Sequence, residues 1–165
     1  MLSDDVRQKL QHIVRGTVIE TAQDHCTTIR NFLCSGYSTS TAVKTNFESQ
    51  PIIKEEQAER LKEYATVNDL WLESLPENSQ YLTRGGESKV YLDNDNRHVI
   101  KINDAIYYAT WLEYFNSLVL HNLIFLGTAY DFFGFVSIDG NLHAVVKQLY
   151  ITSDAPVNLT DMPRK

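Results

Sequence analysis

Three residue groups in the second half of the chain have the types and spacing for phosphate chemistry. Gly85 and Gly86 lie between two short runs of strand character, in Thr83-Arg84-Gly85-Gly86-Glu87-Ser88-Lys89-Val90. Glycine lets the backbone turn at positive φ and come close to a ligand, and N–H groups exposed in such a turn can cradle phosphate oxygens. Lys101 follows fifteen residues after Gly86, inside Val99-Ile100-Lys101-Ile102. Period-two alternation places it on the face opposite Ile100 and Ile102, under the glycine turn, where an ammonium neutralises phosphate. Twelve residues further on, Glu113 is a lone acid among Trp111, Leu112, Tyr114 and Phe115. It faces solvent or pairs with a buried cation, and Lys101 is the nearest candidate in the sequence.

Taken singly, each group has a plainer reading. Gly-Gly in a hairpin is structural in most proteins, and a strand lysine is usually an exposed edge residue. Together they predict a Lys101–Glu113 ion pair or water bridge beside the Gly85-Gly86 turn, because each charge is costly to bury alone.

These groups need elements to position them. Residues 1–66 read as helical. Ser3 with Asp4 and Asp5 makes an N-cap, followed by Val6, Leu10, Ile13, Val14 and Val18, with Gly16 as a kink or interruption. A second helical pattern runs through Ile29 and Leu33 and stops before Ser35-Gly36; residues 35–50 are polar and read as a loop. Pro51 opens a third helix with Ile52, Ile53, Ala58, Leu61 and Tyr64 on one face. From Leu70 the period changes. Strands are expected at 70–73, 81–84, 89–93, 98–102, 131–136 and 142–151, with turns at Asp93–Asn96 and Asp139-Gly140. Between the 98–102 and 131–136 strands, a helix capped by Asn103 or Asp104 reaches about His121 and is apolar nearly all round, as for burial on more than one side. The fold class is therefore α+β: N-terminal helices (1–66), then a five-stranded antiparallel sheet with one long inserted helix (67–151), then a polar tail (152–165).

Composition excludes several classes. The 165 residues carry a formal charge of −6, and no basic–aromatic interleaving is present, so a nucleic-acid partner is disfavoured. No residue run is long and apolar enough for a membrane span, and no signal peptide opens the chain, so a cytoplasmic location is expected. The two cysteines, Cys26 and Cys34, rule out a disulfide scaffold and read as packed thiols, because no CxxC pair or second histidine completes a metal site with His25. Asp93-x-Asp95 lacks the glycine and glutamate of a calcium loop and reads as a turn.

The set Gly85-Gly86-Glu87-Ser88-Lys89-Val90, Val99-Ile100-Lys101 and Glu113, with strands at Asp131–Gly140 and Val145–Tyr150, resembles the N-terminal lobe of the protein-kinase fold. The fuller run from Arg84 to Ile151 resembles the kinase-like domain of bacterial mobile-element polyvalent proteins of Bacteroidetes, truncated after the hinge. The resemblance covers 81–151 and the helix at 52–65, and leaves residues 1–50 unexplained. It implies ATP as the ligand, with Gly85, Gly86, Ser88, Val90, Lys101, Glu113 and Gln148 as nucleotide-binding positions. No residue pattern outside it calls for a cofactor.

The chain also departs from that pattern. It has one Gly-Gly pair rather than GxGxxG, and no Asp…Asn catalytic loop or Asp-Phe-Gly follows the hinge. Asp131-Phe132-Phe133-Gly134 lies in a strand instead. Phosphoryl transfer needs a base and metal-holding acids as well as a phosphate cradle. The expectation is a kinase-like protein without phosphotransfer by this chain; the alternative is an interaction or oligomerisation module that keeps the lobe as a scaffold. Eleven of the eighteen aromatics lie between Tyr107 and Tyr150, so apolar surface is expected to drive self-association or protein binding.

Overall fold

A computed structural model of the protein describes residues 3–20, 24–35, 50–75, 80–84 and 88–150. Helix α1 (Asp4–Arg15) starts where the Ser3 hydroxyl accepts from the Val6 N–H, and it ends at Gly16, whose φ of 72° makes a left-handed cap. Gly16 therefore stops this helix rather than kinking it. Helix α2 (His25–Ser35) follows, and Asp24 accepts from the Thr27 N–H at its start. Helix α3 spans Gln50–Val67. Strands β1 (Gln80–Arg84), β2 (Lys89–Leu92) and β3 (His98–Asn103) lead to helix α4 (Trp111–Ile124) and a 3₁₀ turn (Leu126–Thr128). Strands β4 (Tyr130–Ile138) and β5 (Asn141–Leu149) close the sheet. The strand order is β1-β2-β3-β5-β4, with every neighbouring pair antiparallel. The fold is α+β, as expected.

Alternation gives the sheet two different faces. Ile100, Ile102, Val136 and Val145 form one buried cluster, covered by Leu72 and Leu75. The other face packs Phe132, Ala144 and Val146 against the helices. That larger core takes Ile29 and Leu33 from α2, Leu61 and Ala65 from α3, and Trp111, Phe115 and Leu118 from α4. The N-terminal helices and the sheet thus share one core. The near-continuous apolar character of α4 is explained by its place: α2 and α3 on one side, the sheet on the other.

Four local expectations are corrected. The inserted helix starts at Trp111, not near Asp104. Ala105 has a φ of 60° and is fully buried, which breaks any helix there, and the Asn103 and Asp104 carboxamide and carboxylate accept from the Ala105 and Ile106 N–H groups instead. Residues 70–73 do not form a strand. Trp71 makes a single parallel bridge to Phe135, with Leu72 N–H donating to the Phe135 carbonyl and Phe135 N–H to the Leu70 carbonyl. This close approach explains Gly134, where a Cβ would sit 2.7 Å from the Leu70 carbonyl oxygen. Ile52 is exposed, so the buried face of α3 is set by Ile53, Gln57, Leu61 and Ala65. Finally, Val18 does not continue the first helix, which ends three residues before it at Arg15. The loop expected within 35–50 and the tail at 152–165 fall largely outside the described residues.

Arg30 of α2 knots this assembly together. It is fully buried. Its Nε donates to Asn116 Oδ1 on α4 at 2.8 Å, Nη1 to the Thr17 carbonyl and to Asn31 Oδ1, and Nη2 to the His12 carbonyl at 3.0 Å. One guanidinium thereby joins the end of α1, α2 and α4.

Candidate functional site

Strand β3 carries Lys101 on the helix-facing side, as alternation requires. Its register partners on either side are Val90 and Val146. The amine enters a cavity of about 190 Å³ between the sheet and α4, where Ser88, Asn103, Ser117, His121 and Tyr130 also reach. Lys101 Nζ lies 3.4 Å from the Tyr130 hydroxyl and 5.3 Å from the centre of the same ring. Among the described residues no carboxylate forms an ion pair with it.

The expected Lys101–Glu113 ion pair is therefore absent among the described residues. Glu113 is exposed in the first turn of α4, where a carboxylate suits the positive end of the helix dipole. Its carboxylate accepts from the Ala109 N–H at 3.0 Å, while the Thr110 hydroxyl accepts from the Glu113 N–H at 3.2 Å. This is close to a capping box, readable as Thr110-x-x-Glu113. Glu113 acts instead on Lys54 of α3, whose amine burial pushes below the usual lysine range while Asp104 and Glu113 pull it back up. Lys54 Nζ donates to the Ala105 and Tyr108 carbonyls at 2.6 and 2.9 Å. Gln57, buried one turn on, accepts from the Trp111 and Leu112 N–H groups at 2.8 and 3.3 Å. Helix α3 thus secures both the β3–α4 connection and the start of α4.

The remaining sequence-stated positions divide. Ser88 and Lys101 meet in the cavity, and Val90 stands beside Lys101 in the sheet. Gln148 is turned to the 3₁₀ segment, where its amide donates to the Thr128 carbonyl at 2.9 Å; His121 Nε2 lies 2.9 Å from the same oxygen. Gly85 and Gly86 lie outside the described residues.

Sequence reasoning missed Asn103, Ser117, His121 and Tyr130. Asn103 is buried, and its Nδ2 donates to the Ser88 hydroxyl at 3.1 Å, with Oδ1 accepting from the Ala105 N–H at 2.6 Å. Ser117 and His121 are four apart on α4 and so share a face, a signal that was available. Tyr130 is fixed at both backbone groups by Asn122 of α4, at 2.7 and 3.1 Å, and its ring rests 4.6 Å from that of His121.

A partly buried ammonium among hydroxyls, a carboxamide and an aromatic face, with no paired acid among the described residues, suits an anion. The volume takes a phosphoryl group and water and is below the ~300 Å³ at which whole small-molecule sites begin. Elsewhere, Asp93, Asp95 and His98 converge at the β2–β3 turn. Asp95 accepts there from the Arg97 and His98 N–H groups and meets His98 Nδ1 at 2.6 Å, and Asp93 pairs with Lys147 at 2.8 Å. Among the described residues no helix is long and apolar enough to cross a membrane.

Comparison with protein families gives one match. The family described as serine/threonine/tyrosine kinase found in polyvalent proteins matches residues 54–164. The match begins at Lys54, inside α3, and includes every strand and α4. Neither the curated proteins nor the solved structures gave a match.

Proposed function

The chain belongs to the family of serine/threonine/tyrosine kinases found in polyvalent proteins, and on that footing we propose that its sheet and α4 form the nucleotide-facing lobe of a kinase-like protein. In this reading Lys101 receives phosphate oxygens of ATP, and the Ser88 hydroxyl, already held by Asn103, supplies a second contact. Lys101 carries the reading: an ammonium directed into a polar cavity without an acid partner among the described residues. Val90 is the neighbour of Lys101 across the β2–β3 pairing. ATP brings the transferable phosphoryl group; these residues bind and neutralise it. Phosphoryl transfer also requires a base and magnesium-holding acids, and the sequence contains no Asp-Phe-Gly to supply the latter. We therefore propose that this stretch binds nucleotide weakly and does not transfer phosphate by itself, and that it works in the cytoplasm.

Equilibrium dialysis with ATP tests this. Binding in the millimolar range, weakened at least about tenfold by Lys101→Met, is expected. Equal binding by both proteins overturns the reading, as does phosphate incorporation that survives the substitution. An interaction role is favoured by one observation: Phe125 and Leu126, after α4, are 56% and 79% exposed. Apolar surface of that kind suits a protein partner or a second copy.

A further inference from the structure

We propose that Tyr130 is the positioning residue for Lys101, taking the part that an acidic side chain from α4 would otherwise play; this rests on the reading of Lys101 as the phosphate-binding group. A strand lysine with four rotatable bonds does not hold its amine in one place unaided. Something must fix it before a phosphate arrives, or the ordering is charged against binding. An ion pair would fix it but would also cancel its charge. Tyr130 fixes it without cancelling: the hydroxyl accepts at 3.4 Å and the negative ring face lies 5.3 Å away.

Tyr130 is itself rigid. Its N–H donates to Asn122 Oδ1 and its carbonyl accepts from Asn122 Nδ2, so β4 starts at a set height on α4. His121 backs the ring from the helix at 4.6 Å. Ser117 and Asn103, both neutral, line the same cavity, and no carboxylate is among its described lining residues, so the ammonium is not cancelled by an acid there. The ligand chemistry that follows is a polyanion, a nucleoside triphosphate or its phosphate chain, recognised more by charge than by its base. Glu113, at the helix cap, is outside this arrangement.

The test compares Tyr130→Leu, Tyr130→Phe and Glu113→Gln in the full chain, with lysine side chains carrying ¹³C at Cε. Ring current from Tyr130 displaces the Lys101 Cε signal. That displacement is expected to vanish in Tyr130→Leu and to persist in Tyr130→Phe and Glu113→Gln, with or without nucleotide. ATP affinity is expected to fall about tenfold in Tyr130→Leu, to recover to within about threefold in Tyr130→Phe, and to be unchanged in Glu113→Gln. A Lys101 signal indifferent to Tyr130→Leu overturns the proposal, as does an affinity lost in Glu113→Gln and kept in Tyr130→Leu. If the wild-type chain binds no ATP, the nucleotide reading fails, and the Cε signal alone decides whether Tyr130 holds the lysine. If Tyr130→Leu does not fold, Tyr130→Met, flexible and without a ring, gives the same contrast against Tyr130→Phe.

Discussion

Arg30 and Lys101 are both cations set against α4, and they are housed in opposite ways. Arg30 is fully buried and gives four hydrogen bonds to neutral oxygens from α1, its following turn, α2 and α4. Little donor capacity is left over. Lys101 is half-buried, opens on a cavity and has one phenol as its hydrogen-bond partner among the described residues. Burial with full satisfaction marks a structural cation; partial burial with donors to spare marks one kept for a ligand. The same contrast separates Gln57, whose carbonyl is spent on two helix N–H groups, from Ser88, whose hydroxyl has no acceptor among the described residues.

Substitution can break this comparison. Arg30→Met strips four acceptors at once and should cost ~3 kcal/mol or more in urea unfolding. Lys101→Met should change stability by less than ~1 kcal/mol, since no buried partner is orphaned. Similar costs for both would erase the distinction. Next in size is Gln57→Leu, which leaves the Trp111 and Leu112 N–H groups unmet; a loss of ~1–2 kcal/mol is expected.

Thiol chemistry sharpens the contrast between buried and available groups. Burial first, then the charges of Asp24 and Asp131, pushes Cys26 up to about 12. Its folded value lies above the unfolded value, so the folded state keeps the proton longer. The associated stability is full below the unfolded pKa of 9.0 and is lost as pH rises toward about 12. At pH 8 native Cys26 and Cys34 should react with a colorimetric disulfide reagent only as fast as the chain unfolds; quick labelling would show that the α2 core is open. The smallest effect concerns Asp95, held down to about 2 by the Arg97 N–H and then by the His98 side chain. Its folded value is depressed, so its contribution is present above the unfolded pKa of 3.8 and is lost as pH falls through about 2. A carboxyl ¹³C titration of Asp95 with a midpoint near 4 would remove that turn from the account.

Much of the fold was legible because its signals are local. Alternation at 98–102 and 142–149, the Asp139-Gly140 turn and the Ser3 cap each rest on a few adjacent residues. The strand facing of Lys101 came from the same rule. The start of α4 was misread because Asn103 and Asp104 look like caps, whereas buried Ala105 at positive φ forces a turn first. Residues 70–73 looked like a strand because they are apolar, yet they pair with β4 only through Trp71 and lie close because Gly134 admits them. Glu113 was assigned to Lys101 as its nearest acid in the sequence, though the Thr110-x-x-Glu113 spacing already offered a helix cap. Tyr130 could not be found in this way: it is twenty-nine residues from Lys101, and only the β5 strand between them brings the two together.

The central claim is that the Lys101 cavity receives phosphate. Titration of the ¹⁵N-labelled chain with ATP, and separately with adenosine, measures it at each backbone amide. The account predicts saturable shifts at Ser88, Lys101 and Asn103 with ATP, none there with adenosine, and none in Lys101→Met. Shifts that persist in Lys101→Met, or that gather away from Ser88 and Asn103, would contradict it.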